Sequence, residues 1–256
     1  MKNNPFLAVF NFRLLFICFL TTGIFFGSKY FDLTYKNDYN IFSIAVVFPL
    51  VFSLTAAYRK RQAALSHFSS IRANLVCVYD YFKSGGQISP AVLGDLKKEL
   101  VLISENLIQC ISQANDEEKI VALRKQLELL TQATIAQRMH LNEREIAYII
   151  RAKKDLSFDI ETLYSLKHHN SPRSLRAYCL VFIYLFPFIY VPGIVQNISY
   201  DSVAYEGFFL FLALLIGFVL MALYNIQELI EDPFDNEGLD DVKLNLYKMD
   251  VSDLTD

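Results

Sequence analysis

The chain of 256 residues sets 24 Lys and Arg against 27 Asp and Glu, a formal net charge of -3 at pH 7. It is 54% hydrophobic and 14% aromatic with a mean hydropathy of +0.29, too apolar for an average soluble domain and too charged for a protein confined to lipid. There is no basic excess that would attract nucleic acid, so none is expected as a partner, and local charge placement carries the information.

A hydrocarbon core about 30 Å thick needs about 20 mostly apolar helical residues. The first such stretch, Leu14 to Tyr30, is marginal and can be extended through Phe6 to Phe12, with Arg13 snorkelling to an interface. Lys2 ahead of an apolar run raises a signal peptide, but no small-x-small cleavage site follows Phe26 and more spans come later, so the segment is expected to stay. The second stretch, Ile41 to Tyr58, is also marginal. From Leu50 to Ser84 there is neither Gly nor Pro. That helix is therefore expected to run past the membrane boundary to about residue 84, before Gly85-Gly86, giving one rod about 60 Å long.

Ser89-Pro90 then offers an N-cap followed by a proline at the first helical position. Leu93, Leu96, Leu100, Ile103, Leu107 and Cys110 follow at spacings of three and four, a narrow apolar stripe that needs partner helices. Asn115 to Glu118 form a break with Asp116 as a cap, and a second periodic run starts with Ile120, Leu123, Leu127 and Leu130, expected to extend to about Lys154. No stretch alternates with period two, so an antiparallel helical bundle is expected here. Two full-length apolar stretches complete the chain, Ala177 to Ile198 and Val203 to Tyr224.

Arg59, Lys60 and Arg61 follow the second stretch and Arg173 and Arg176 precede the third, while Asp201 and Glu206 face no basic residue in the last connection. The positive-inside bias puts the centre and both termini in the cytoplasm. The expected architecture is an all-α multi-pass membrane protein. It divides into two spans (1–58), a cytoplasmic helical domain (59–172), two further spans (173–226) and a cytoplasmic acidic tail (227–256).

The chemistry-bearing residues are sparse. Cys18, Cys77, Cys110 and Cys179 are scattered, which reads as reduced packing residues and not as a zinc site or a disulfide framework. Gly85-Gly86 lacks the Lys-Ser/Thr of a nucleotide cradle, and there is neither a His-Glu-x-x-His helix nor a nucleophile elbow, so no enzyme is expected. His168-His169 could sense pH or hold a metal, but adjacent residues diverge on a helix and a structural role is the plainer reading.

The segment from Asn225 to Asp241 resembles the stretch that follows the final span of the bestrophin channel family, Glu-x-x-x-Asn-Pro-Phe-Gly and then acidic residues. Glu228, Pro233, Phe234, Glu237 and Asp240 match; Asp232 stands for the usual Asn and Asp235 for the usual Gly. Ser171-Pro172 through Ala177-Tyr178, Leu185-Phe186-Pro187-Phe188 and Ala57-Tyr58 are similar to the family's third-span entry and second-span end. The chain has no tryptophan, and Arg61 and Gln62 stand where the family often places one. The short segment after the acidic turn suggests a prokaryotic-type core in an inner membrane.

The resemblance implies a homopentamer around an axial pore, conducting ions passively, with lipid and permeant ions as its other partners. Chloride is the family's default ion, some bacterial members prefer cations, and the choice stays open. Aligning Tyr58 with the family's tyrosine puts Ile44, Phe48 and Phe52 at the hydrophobic neck, where dry apolar rings block ions, with Pro49 able to bend the helix there. The cytoplasmic aperture is expected near Ile146, Ile149 and Ile150. No cofactor is required. Calcium, clasped in animal members, has Asp232, Glu237 and Asp240 as candidate ligands here. A competing reading is a membrane-anchored scaffold whose helical centre recruits a partner without conducting, and subunit count separates the two.

Overall fold

The structure, a computed structural model, describes residues 10–33, 40–85, 88–112, 117–169, 173–196, 203–235 and 241–254. Among these there are seven α-helices and no strand: α1 Phe12–Tyr30, α2 Asn40–Ser84, α3 Pro90–Ser112, α4 Glu117–Ala136, α5 Glu143–His168, α6 Arg173–Gln196 and α7 Val203–Glu231. Contacts divide the chain into two compact units, one of residues 1–59, 171–232 and 237–240, the other of residues 60–170, 233–236 and 241–256.

The helices of the first unit are mostly apolar, with charges near their ends. α1, α6 and α7 pack on one another, and these three are long and apolar enough to cross a membrane. On α1 the buried residues Leu14, Ile17, Thr21, Phe25 and Ser28 recur every three or four positions, one stripe of the helix. Gly217 of α7 faces that stripe; a Cβ there would stand 3.3 Å from Thr21 Oγ1 and 3.4 Å from the Tyr190 hydroxyl. The missing side chain lets the backbones approach closely, the usual device where helices pack in lipid. The Tyr190 hydroxyl donates to the Ala213 carbonyl at 2.7 Å. Pro187 and Pro192 lie inside α6, tolerated because neighbouring helices can serve the freed carbonyls. Charges close the helix ends: Arg13 bonds Glu228 at 2.8 Å and lies over the Tyr224 ring, Arg176 reaches Glu231 at 3.1 Å, and Lys29 pairs with Glu206.

α2 is one helix of 45 residues, as the uninterrupted run after Leu50 implies. Its described residues are not among the three candidate spans, and Arg59, Lys60 and Arg61 follow its apolar first part.

The second unit is a helical bundle with a single core. The later part of α2 contributes Ala64, Phe68, Ile71, Leu75, Val78 and Phe82, α3 contributes Leu96, Leu100, Ile103, Leu107 and Cys110, and α4 contributes Ile120, Leu123, Leu127 and Leu130. The expected α3 stripe is thus buried except Leu93, which is partly so. Ser89 accepts from Val92 N at 3.4 Å at the start of α3; the proposed Asp116 cap lies outside the described residues.

Two expectations change in this unit. The run from Ile120 stops at Ala136, and a separate helix begins at Glu143. Its cause is local: Asn142 accepts from Glu145 N at 2.8 Å while Glu145 accepts from Asn142 N at 2.8 Å, a reciprocal cap that satisfies two otherwise orphaned amides. The turn it closes packs on Gly85, where a Cβ would come within 2.9 Å of Leu141 Cδ2 and 3.1 Å of the His140 carbonyl. Residues 241–254, expected as acidic tail, are instead part of the bundle. Val242, Leu244, Met249 and Leu254 are buried in its core. Ser104 donates to the Tyr247 carbonyl at 3.2 Å and accepts from Met249 N at 2.9 Å. Arg72 holds the same segment through the Leu246 carbonyl at 3.0 Å and Asp253 at 2.9 Å, and Phe68 stacks on Tyr247 with centroids 5.1 Å apart.

Candidate functional site

In its first part, α2 has two unlike faces. Val46, Leu50, Ser53 and Ala57 are buried, at spacings of four, three and four. On the other side Ile44 (52% exposed), Val47, Phe48 (53%), Val51 and Phe52 (63%) stand open. An apolar helix face left open over about two and a half turns is not what water-facing packing produces, because each such side chain would gain about 1.5–3 kcal/mol by full burial. Phe48 and Phe52 lie one above the other, ring centroids 5.9 Å apart, as their spacing of four requires. Pro49 sits inside the helix between them. It donates no amide to the Ala45 carbonyl one turn back, and the Tyr178 hydroxyl of α6 lies 3.5 Å from that oxygen.

The three sequence-derived neck positions thus share one exposed face. The aperture candidates do not share an environment: Ile149 is in the core at 1% exposure, Ile146 is packed partly against it, and Ile150 is 49% exposed. Only Ile150 presents a free side chain. Tyr148, which sequence reasoning passed over, is also exposed and stacks on Tyr81 at 5.1 Å. Alternation of apolar and polar residues could not separate these positions, since the segment 146–150 is apolar on both sides of the helix.

For the acidic segment, Glu237 and Asp240 lie outside the described residues, so of the three candidate ligands the structure describes Asp232. Among the described residues no three His, Cys, Asp or Glu side chains come together as metal ligands. Phe234 of the family-like motif is buried, its ring centroid 6.4 Å from that of Phe68, and Val242 N donates to the Pro233 carbonyl at 2.9 Å. Pro233 and Phe234 therefore anchor the chain as it enters the second unit. His168 bonds the Tyr164 carbonyl at 2.8 Å and packs on the Tyr164 ring, a structural placement. The four cysteines are free thiols, Cys110 and Cys179 buried.

A feature with no sequence signal is His67, whose Nδ1 lies 2.7 Å from Asp159 Oδ1. Asp159 is 5% exposed within the bundle core, and such a carboxylate persists only with a partner. The i, i+3/i+4 pattern on α5 marks residue 159 as a core position, but nothing in the order of residues says which helix supplies its mate.

No protein-family model and no curated protein matches the sequence. Among solved structures, the chain is similar to a bacterial bestrophin homologue from Klebsiella pneumoniae at 16% identity and TM-score 0.73, with 93% of each chain covered. It is similar to a point variant of that homologue at 17% identity and TM-score 0.75, over 96% of this chain and 98% of the other. A further structure, described as a membrane protein variant, superposes at TM-score 0.76 and 16% identity over 94% of both chains. All-helical among its described residues, three of those helices long and apolar enough to cross a membrane, the chain has the bestrophin-like fold of these bacterial homologues.

Proposed function

We propose that the protein is a passive ion channel, a homopentamer in which the first part of α2 is the fourth span and lines an axial pore. The observation that carries this reading is the open apolar face of α2, Ile44, Phe48 and Phe52. In a lone protomer these three side chains are more than half exposed; around a five-fold axis the same face repeats as three stacked rings. A narrow ring of such groups excludes water, and an ion cannot enter a dry constriction without losing its hydration. The neck thus serves as gate, and Pro49, by removing one helical hydrogen bond, gives α2 a place to bend. Ile150 is the side chain we assign to the cytoplasmic aperture.

Arg59, Lys60, Arg61, Arg173 and Arg176 next to the spans support an orientation with the central helical region and both termini in the cytoplasm, the channel lying in an inner membrane. We assign chloride as the permeant ion on family resemblance. The function is non-catalytic.

The test is purification in detergent, mass measurement of the particle, and reconstitution in planar bilayers. A mass of five chains with single-channel currents supports the proposal, and the reversal potential in a KCl gradient reports the ion. Phe48→Ala with Phe52→Ala widens and wets the neck and is expected to raise open probability. A monomer or dimer without ion flux supports a membrane-anchored scaffold instead, and double-variant currents equal to wild type remove the neck assignment.

A further inference from the structure

Between α4 and α5 lies a cleft of about 400 Å³ lined by Arg124, Leu127, Glu128, Thr131, Lys153, Ser157, Ile160 and Glu161. Leu127 and Ile160 form an apolar floor and belong to the bundle core. One end is closed by a two-bond clamp, Arg124 Nε to Glu161 Oε1 at 2.6 Å and Arg124 Nη2 to Glu161 Oε2 at 2.7 Å. The Arg124 guanidinium holds the Glu161 carboxyl below its usual range, so both charges of the clamp are spent on each other.

That clamp also fixes the register of the two antiparallel helices. One turn on along α4 and one turn back along α5 from the clamp, Glu128 is set against Ser157, and a further turn sets Thr131 against Lys153; all four line the cleft. Glu128 and Lys153 are therefore about one turn, roughly 6 Å, apart along the cleft. They carry opposite charge, line one cleft, and make no ion pair with each other or with any other described residue. Lys153 is half-buried. Thr131 donates to the Leu127 carbonyl at 3.3 Å, which leaves its oxygen free to accept, while the Ser157 hydroxyl has no partner among the described residues.

We propose that this cleft binds a small zwitterion, a molecule with an ammonium and a carboxylate a few ångströms apart. The four charges of the cleft sum to zero, so neither a lone anion nor a lone cation is favoured over the other, whereas a molecule carrying both signs meets both unpaired groups at once. Lys153 and Ser157 donate to its carboxylate; Glu128 and Thr131 Oγ1 accept from its ammonium. Hydrogen bonds of about 2.8 Å at each end suit a compact molecule such as an α-amino acid, and the Leu127–Ile160 floor accommodates a short side chain. This site is independent of the channel reading, since all its residues lie in the second unit.

Isothermal titration of the full-length, detergent-purified protein with glycine tests it, with acetate and methylammonium as single-charge probes. Saturable glycine binding is expected, about tenfold or more tighter than either single-charge probe. Glu128→Gln and Lys153→Gln are each expected to weaken it about tenfold, and the exchange of Glu128→Lys with Lys153→Glu to restore it with the ligand reversed. Lys154→Gln, on the exposed side of α5, leaves binding unchanged. Melting curves of the variants matching wild type show that these surface changes leave the bundle intact. The proposal is overturned by an absence of saturable glycine binding, by acetate binding as tightly as glycine, or by either neutralised variant retaining wild-type affinity.

Discussion

Ser104→Ala probes how firmly the C-terminal segment belongs to the bundle. The Ser104 side chain is 2% exposed and makes two bonds to the segment, one to the Tyr247 carbonyl and one from Met249 N. Replacing the hydroxyl with hydrogen leaves the buried Met249 amide without its acceptor, a loss of about 1–3 kcal/mol. The remaining anchors, Arg72 on Leu246 and Asp253, Lys248 on Glu105 at 2.9 Å and the Phe68–Tyr247 stack, are untouched, so the segment should open more often without the bundle unfolding. If the whole loss falls on that local opening, its equilibrium constant rises about 5- to 150-fold. Hydrogen exchange followed by mass spectrometry reads this directly: peptides covering 241–254 should lose protection by that factor while peptides from α4 and α5 of the same bundle stay as in wild type. Protection of 241–254 within about twofold of wild type would refute the docking argument. An equal loss in every helix would show instead that Ser104 supports the bundle globally.

Removing the reciprocal cap by Asn142→Ala should cost about 1 kcal/mol, read as a lowered midpoint in chemical unfolding of the second unit. On α3, Leu100→Ala deletes a side chain at 0% exposure and should cost about 2–5 kcal/mol, whereas Leu102→Ala, at 41% exposure two residues on, should stay below about 1 kcal/mol; equal effects would mean the helix is rotated. In the first unit Gly217→Leu has no room between Thr21 and Tyr190 and should destabilise by about 1–3 kcal/mol, seen as a lower melting temperature in detergent, with Gly217→Ala milder because its neighbours need move only a few tenths of an ångström.

The helices were legible where one physical signal dominated. Continuous apolarity gave α1, α6 and α7, and the three-four spacing of Leu96, Leu100, Ile103 and Leu107 gave the buried side of α3. Where two signals competed, the stronger-looking one misled. The periodic leucines of α4 continue into Ile146 and Ile149 of α5 with nearly the right spacing, and only the pattern Asn142-x-x-Glu145 marks the break; that pattern is a start signal for a helix and was available in the residues. The acidic turn near Asp240 likewise drew attention away from Val242, Leu244, Met249 and Leu254, whose spacing is too irregular for a helix and which bury themselves through two short 3-10 turns, Leu244–Leu246 and Val251–Asp253. The His67–Asp159 pair and the facing of Glu128 by Ser157 depend on which helices are neighbours, a fact that no single helix encodes. The neck positions came from spacing plus family likeness, and the aperture positions, which rested on likeness alone, fell into three different environments.

The contrast within α2 bears on what surrounds its first part. From residue 64 to 82 the helix is amphipathic: Ala64, Phe68, Ile71, Leu75, Val78 and Phe82 are buried, and Arg72 and Lys83 lie on the remaining surface. A helix patterned in this way is made to lie between a core and water. From residue 44 to 52 no charged residue occurs on any side, and the exposed positions, Ile44, Val47, Phe48, Val51 and Phe52, are as apolar as the buried Val46 and Leu50. A helix that is apolar all round has to be enclosed, so its open face requires lipid, a second protein surface or a water-poor passage. Lipid alone would select against nothing on that face, and a polar substitution would cost the same at Val47 as at Phe48. A ring-lined neck predicts a difference: Phe48→Ser and Phe52→Ser should increase conduction, while Val47→Ser, displaced by about 100° around the helix from Phe48, should leave it unchanged. Equal effects at all three positions would assign the face to lipid or to a flat interface and leave the pore without its gate.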